Sequence, residues 1–98
     1  MDEKLHVVAR IKAHPDSLGD LLGSMHVLVA EVRQEPGCLR YDLVQSQDDP
    51  CVLIFIEEWA SRAAWEDHMQ AEALQRHGAR TRPEMVLDIE VHALGQIE

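Results

Sequence analysis

Leu5, Val7, Ala9 and Ile11 alternate with His6, Val8, Arg10 and Lys12, three of which are polar. A period of two marks a strand with one buried face. His14-Pro15-Asp16-Ser17 interrupts the alternation, and Asp16 or Ser17 offers a helix cap. From there Leu18, Leu21, Leu22, Met25, Leu28, Val29 and Val32 recur at helical spacing, which predicts a helix with a single apolar stripe. Glu35-Pro36-Gly37 stops it. A second strand is predicted from Cys38 to Ser46, with Leu39, Tyr41 and Leu43 on one face and Arg40 and Asp42 on the other. Gln47-Asp48-Asp49-Pro50 then reads as the turn of a hairpin.

The third strand, Cys51 to Trp59, is apolar on both faces through Val52, Leu53, Ile54, Phe55 and Ile56. A strand of that kind is expected to be central and covered on both sides. Ser61 caps a second helix to about Gln70, and a less regular helical stretch follows to Arg80, before Pro83. The last strand, Glu84 to Leu94, alternates Met85, Leu87, Ile89 and Val91 with Asp88, Glu90 and His92.

The order β-α-β-β-α-β, with right-handed crossovers, predicts an α+β, ferredoxin-like fold. Its four-stranded antiparallel sheet should run 4-1-3-2, with the odd-numbered strand faces against the helices. On the other face Val8, Ile54 and Ile56 form an apolar centre ringed by Arg10, Arg40, Asp42, Glu58, Asp88 and Glu90. An apolar centre with a charged rim is the look of an association surface, and a second copy of the chain is the expected partner. The alternative is a sheet face that tolerates a few exposed aliphatics.

Composition narrows the function. The 98 residues, 46% of them apolar, suit a single domain over 1–98. Acidic residues outnumber basic ones 18 to 9, for a net charge of −9, which argues against nucleic acid or an anionic membrane as a partner. The longest apolar run, Cys51 to Ile56, is far short of the ~20 residues a membrane helix needs. No basic start leads into an apolar stretch as in a secretory signal, so the expected location is cytoplasmic. Cys38 and Cys51 fit neither a CxxC pair nor a zinc spacing and read as small buried thiols. Phosphate-binding glycine loops and hydrolase or zinc-protease motifs are absent, so no nucleotide, flavin or metal cofactor is expected.

Chemistry concentrates at the end of the third strand. Glu57 shares a face with Leu53, Phe55 and Trp59, and a carboxylate on an apolar face needs a partner or a raised pKa. Tyr41 on the neighbouring strand is a candidate partner. His68 follows Trp59 by nine residues, with Trp65 one helical turn before it. Tyr41, Glu57, Trp59, Trp65 and His68 can therefore line one cavity, where a few polar groups in apolar walls would bind a ligand. The alternative is a small core in which the two tryptophans only pack. Arg76, His77, Arg80 and Arg82 form a basic patch, either a solvated face or a rim for an anionic ligand. His6 and His92 lie on adjacent strands, but a metal site would need a third ligand.

Glu35-Pro36-Gly37-Cys38-Leu39-x-Tyr41, and Glu57-x-Trp59 followed by His68, resemble the antibiotic biosynthesis monooxygenase family over nearly the whole chain. The resemblance implies a dimeric α/β barrel, a homodimer joined sheet to sheet with a pocket in each subunit. Activities in the family include cofactor-independent oxygenation of phenols or quinols, haem degradation and isomerisation of a sugar phosphate. Trp59 and His68 match the family's recurring pair, and Tyr41 and Glu57 match positions near its pocket. The haem-degrading branch differs: it carries an Asn on the first strand, where this chain has Val8, Ala9 and Arg10. His77 lies near that branch's haem ligand.

The reaction expected on this basis is oxygenation of a small quinol or polyphenol by O2, without metal or flavin. His68 would be the base, since histidine readily takes a proton near neutral pH. Glu57 would orient its imidazole, Tyr41 would assist, and Trp59 and Trp65 would stack on the substrate. Arg80 or Arg82 would stabilise a developing oxyanion, with His77 beside them. As a pocket residue, His68 would bear little packing. The alternatives are an isomerase or lyase acting on a phosphorylated or carbonyl metabolite, and a non-catalytic ligand-binding, stress-response dimer.

Overall fold

A computed structural model describes residues 3–98. Four strands and three helices follow in order: β1 (Leu5–Ala13), α1 (Leu18–Val32), β2 (Cys38–Gln45), β3 (Val52–Trp59), α2 (Arg62–Met69), α3 (Glu72–Arg80) and β4 (Val86–Leu94). The strands make one antiparallel sheet ordered β2-β3-β1-β4, as the hydrophobic pattern predicts. This is the ferredoxin-like α+β arrangement.

The core lies between the sheet and the helices. Leu21, Met25, Leu28 and Val32 of α1 meet Val7, Ala9 and Ile11 of β1 and Leu53, Phe55 and Trp59 of β3, all buried. These helix positions are the predicted stripe, and the strand positions are the predicted odd faces. The less regular helical stretch is a break between two helices. Gln70 ends α2, and Ala71 turns extended (φ −72°, ψ 156°) before α3 begins. Pro83 starts a short 3-10 turn that buries Met85, so β4 begins at Val86.

Strict alternation fails at two places, each a register shift. One lies between Cys38 and Arg40, so Cys38 faces Trp59 across the ladder and the odd-numbered Leu39 is 57% exposed. An extra residue in one strand swaps the faces beyond it. The other lies between Lys12 and Ala13, where Ala13 pairs with Val86. Leu87 is consequently exposed. Ile89 and Val91 keep the expected side but remain exposed, because β4 is the sheet edge.

On the open face Val8 pairs with Ile56, and Val44 pairs with Ile54. The charged rim is internally matched: Arg10 binds Asp88 at 3.2 Å, Arg40 binds Asp42 at 2.7 Å, and Lys4 binds Glu58 at 2.8 Å. Among the described residues no helix is long and apolar enough to cross a membrane.

Candidate active site

A cavity of about 260 Å³ opens between the sheet and the helices. Ile11, Leu21, Met25, Leu28, Leu74 and Val86 form part of its apolar wall, and its polar groups are Tyr41, Glu57, His68, His77 and Thr81. Trp65 also lines it, with the Arg62 guanidinium 5.3 Å above the indole.

The connection from α1 to β2 builds the base of the site. Gly37 has φ +82°, a conformation that only glycine adopts without cost. A Cβ at Gly37 would lie 2.6 Å from the Ala64 Cβ, so the turn rests directly on α2. Ala64 and His68 are four residues apart and share a helix face. Seated there, the turn delivers Glu35 to His68, and Nδ1 donates to Glu35 Oε1 at 2.8 Å. A carboxylate only accepts, so the neutral ring carries its proton on Nδ1 and presents the lone pair at Nε2.

Trp59 lies beneath this pair. Its ring stacks on the His68 imidazole with centroids 4.6 Å apart, and its indole N–H donates to Glu57 Oε1 at 2.9 Å. The Tyr41 ring meets His68 edge-on at 5.5 Å and Phe55 at 5.1 Å. Burial pushes the Glu57 carboxyl up to about 7, with the Trp59 hydrogen bond opposing it. Burial also raises the Tyr41 phenol, helped by the charges of Glu57 and Glu35, which keeps it a hydrogen-bond donor.

Several expectations change. The residue holding the His68 imidazole is Glu35, not Glu57, which serves Trp59 instead. Trp59 is fully buried and lines no part of the cavity, so it supports the site from below rather than stacking on a ligand. His68 is only 3% exposed and packs on Trp59, so it carries packing as well as chemistry. The arginine patch does not reach the cavity. Arg76 is tied to Glu31 and Glu72, and Arg82 to Glu84 at 2.8 Å. Arg80 and Arg82 line a separate open groove beside Gly19 and Gly23. Tyr41, Glu57, Trp65, His68 and His77 do come together. Among the described residues no three His, Cys, Asp or Glu side chains gather as metal ligands. His92 instead lies 3.7 Å from Glu90, and His6 pairs with Leu94 across the ladder rather than with His92.

Sequence reasoning missed Glu35, whose signal was its place in the Glu-Pro-Gly turn, and Ser24, which meets His77 Nδ1 at 2.8 Å. It also missed the contribution of Ile89 and Val91 to the cavity wall.

Comparison with known proteins agrees with this architecture. Residues 4–80 match the model of the antibiotic biosynthesis monooxygenase family. PA3566 from Pseudomonas aeruginosa superposes with a TM-score of 0.90 at 32% identity, covering 100% of this chain and 98% of that one. A crystal structure described as an antibiotic biosynthesis monooxygenase gives 0.89 at 34% identity, covering 96% and 99%. Rv0793 from Mycobacterium tuberculosis gives 0.89 at 26% identity, covering 98% and 97%. In sequence, the chain spans 47% and 66% of the lengths of the curated relatives it matches. With a family match over most of its length, the chain belongs to the antibiotic biosynthesis monooxygenase family.

Proposed function

We propose that the protein is a cofactor-independent monooxygenase acting on a small quinol or polyphenol. The observation that carries this reading is the Glu35–His68 pair, which leaves an unpartnered imidazole nitrogen beside an apolar cavity. Such a pair makes a general base without metal or flavin.

The substrate's ring hydroxyl gives its proton to His68 Nε2. The phenolate is electron-rich enough to reduce O2, and a C–O bond forms at a ring carbon that bears hydrogen. Glu57, half protonated near neutral pH, supplies a proton to the peroxide. The O–O bond breaks as the imidazolium proton of His68 passes to the departing oxygen, the ring C–H proton returns to Glu57, and a carbonyl and water result. One oxygen atom enters the substrate and the other leaves as water, the ring supplying four electrons. Tyr41 donates a hydrogen bond to developing negative charge, and Trp65 covers the ring face.

A phosphorylated substrate is less well served, because Arg76 and Arg82 are engaged by carboxylates outside the cavity. The active form in this reading is a homodimer that covers Val8, Val44, Ile54 and Ile56. Oxygen uptake by chelator-treated protein against a panel of quinols and hydroxynaphthoquinones tests the activity. Uptake matched to product formation supports it; conversion that continues without oxygen would replace it with an isomerase or lyase.

A further inference from the structure

Outside the cavity, Arg80 and Arg82 face an open groove of about 510 Å³ between α1 and the C-terminal end of α3. Gly19, Gly23 and Ser24 of α1 also line it. A Cβ at Gly19 or Gly23 would meet nothing within 4 Å, so the two glycines widen the groove.

Arg80 is out of place in so acidic a chain. Seven of the nine lysines and arginines pair with a carboxylate, and Arg62 sits over Trp65. Arg80 has no carboxylate partner among the described residues, although the chain holds 18 acidic side chains. Its Nε donates to the Ser24 hydroxyl at 3.3 Å, which leaves both terminal nitrogens uncommitted. Arg82 is held only through Nε, by the exposed Glu84 at 2.8 Å. An exposed ion pair of this kind contributes little and yields to a competing anion. Asp20 lines the groove as well and pairs with neither arginine.

We propose that this groove binds a small, hydroxyl-bearing phosphate ester, with Arg80 and Arg82 on the phosphoryl oxygens and Asp20 accepting from the hydroxyl. Each guanidinium fork matches two oxygens, so two forks suit the three oxygens and near-double charge of a phosphoryl group better than one carboxylate. The site is separate from the proposed oxygenation and stands or falls without it. One link joins the two. Ser24 Oγ, which accepts from Arg80, also lies 2.8 Å from Nδ1 of His77, a cavity residue. Burial, and then the Arg80 charge, holds His77 below its ordinary pKa. An anion on Arg80 offsets that charge, so His77 reports occupancy of the groove. Tyr41, Glu57 and His68 also line the cavity but not the groove.

Proton–nitrogen spectra of the intact chain test the site, with glycerol phosphate and inorganic phosphate as probes at an ionic strength held constant with chloride. Glycerol phosphate should bind with a Kd of about 1 mM or tighter. Inorganic phosphate should bind about 2- to 5-fold more weakly, for want of the hydroxyl. Arg80→Gln and Arg82→Gln should each weaken binding about 5- to 10-fold. Gly23→Leu, a better helix former whose side chain fills the groove, should abolish binding and keep the fold. Arg76→Gln, outside the groove, should change affinity by less than about twofold. The pH midpoint of His77 should rise with glycerol phosphate bound, and Arg80→Gln should raise it without any ligand. Equal affinity for the two probes would make free phosphate the ligand and overturn the ester. No binding by about 10 mM glycerol phosphate, equal losses in Arg76→Gln and Arg80→Gln, or binding that leaves His77 untouched would overturn the site.

Discussion

Gly37 rests on Ala64 with no room for a side chain between them, and that contact places Glu35 on His68. A methyl group at position 37 would meet both a positive φ and a 2.6 Å contact. Gly37→Ala should therefore cost at least about 1–2 kcal/mol from the backbone alone, with more from the contact. Turnover should fall further than stability does, because Glu35 moves with the turn. Chemical denaturation and steady-state rates on the same preparation check both halves.

Glu35→Gln keeps the size of the side chain but lets its amide donate as well as accept. The imidazole can then hold its proton on Nε2, where it is useless as a base. Turnover should drop by about 10²–10³, within the range for a positioned acid–base residue. His68→Gln should lose at least as much. Because His68 also packs on Trp59, its loss should lower thermal stability too, unlike that of Glu35.

Glu57 carries a pH signature. Its carboxyl is raised to about 7 in the folded protein from an ordinary value of 4.5. A raised pKa means that the folded state holds the proton after the unfolded chain has released it. Stability from this group is full below the ordinary value, falls as pH rises between the two, and is gone above about 7. Glu57→Gln lacks the titration, so between about pH 4 and pH 8 it should gain on wild type by about 2–3 kcal/mol. A difference between the two proteins that stays flat with pH would contradict the burial assigned to Glu57.

The open sheet face predicts self-association. Val8, Ile54 and Ile56 lie on adjacent strands inside a rim of matched ion pairs. Ile54→Glu would place charge at the centre of the buried patch in both copies. Sedimentation at micromolar concentration should show wild type as a dimer and this variant as a monomer; a monomeric wild type would contradict the homodimer.

Much of the fold was legible because periodicity reports burial directly. The alternation of Val7, Ala9 and Ile11 and the stripe of Leu21, Met25, Leu28 and Val32 are statements about one apolar face each. Leu39 and Leu87 were misplaced because a bulge adds one residue to a strand, and nothing in an alternating pattern marks where the count slips. Ile89 and Val91 kept the expected side but lie uncovered at the sheet edge. The candidate site was legible in part: Tyr41, Glu57 and Trp59 follow from strand parity, and His68 from helix spacing. Glu35 was not, because its partnership with His68 depends on a positive φ two residues later and a glycine–alanine contact. Ser24 was hidden for a similar reason. A serine in a helix has no periodic signature, and only the packing of α1 against α3 brings it to His77.

The position of the imidazole proton on His68 tests the central claim most directly. Two-dimensional proton–nitrogen spectra near pH ~8, where an ordinary imidazole is neutral, distinguish a protonated ring nitrogen from a bare one. His68 should show its proton on Nδ1 and a bare Nε2, and Glu35→Gln should disturb that assignment. A proton on Nε2 of His68 in the wild-type protein would leave the cavity without its base and contradict the proposed chemistry.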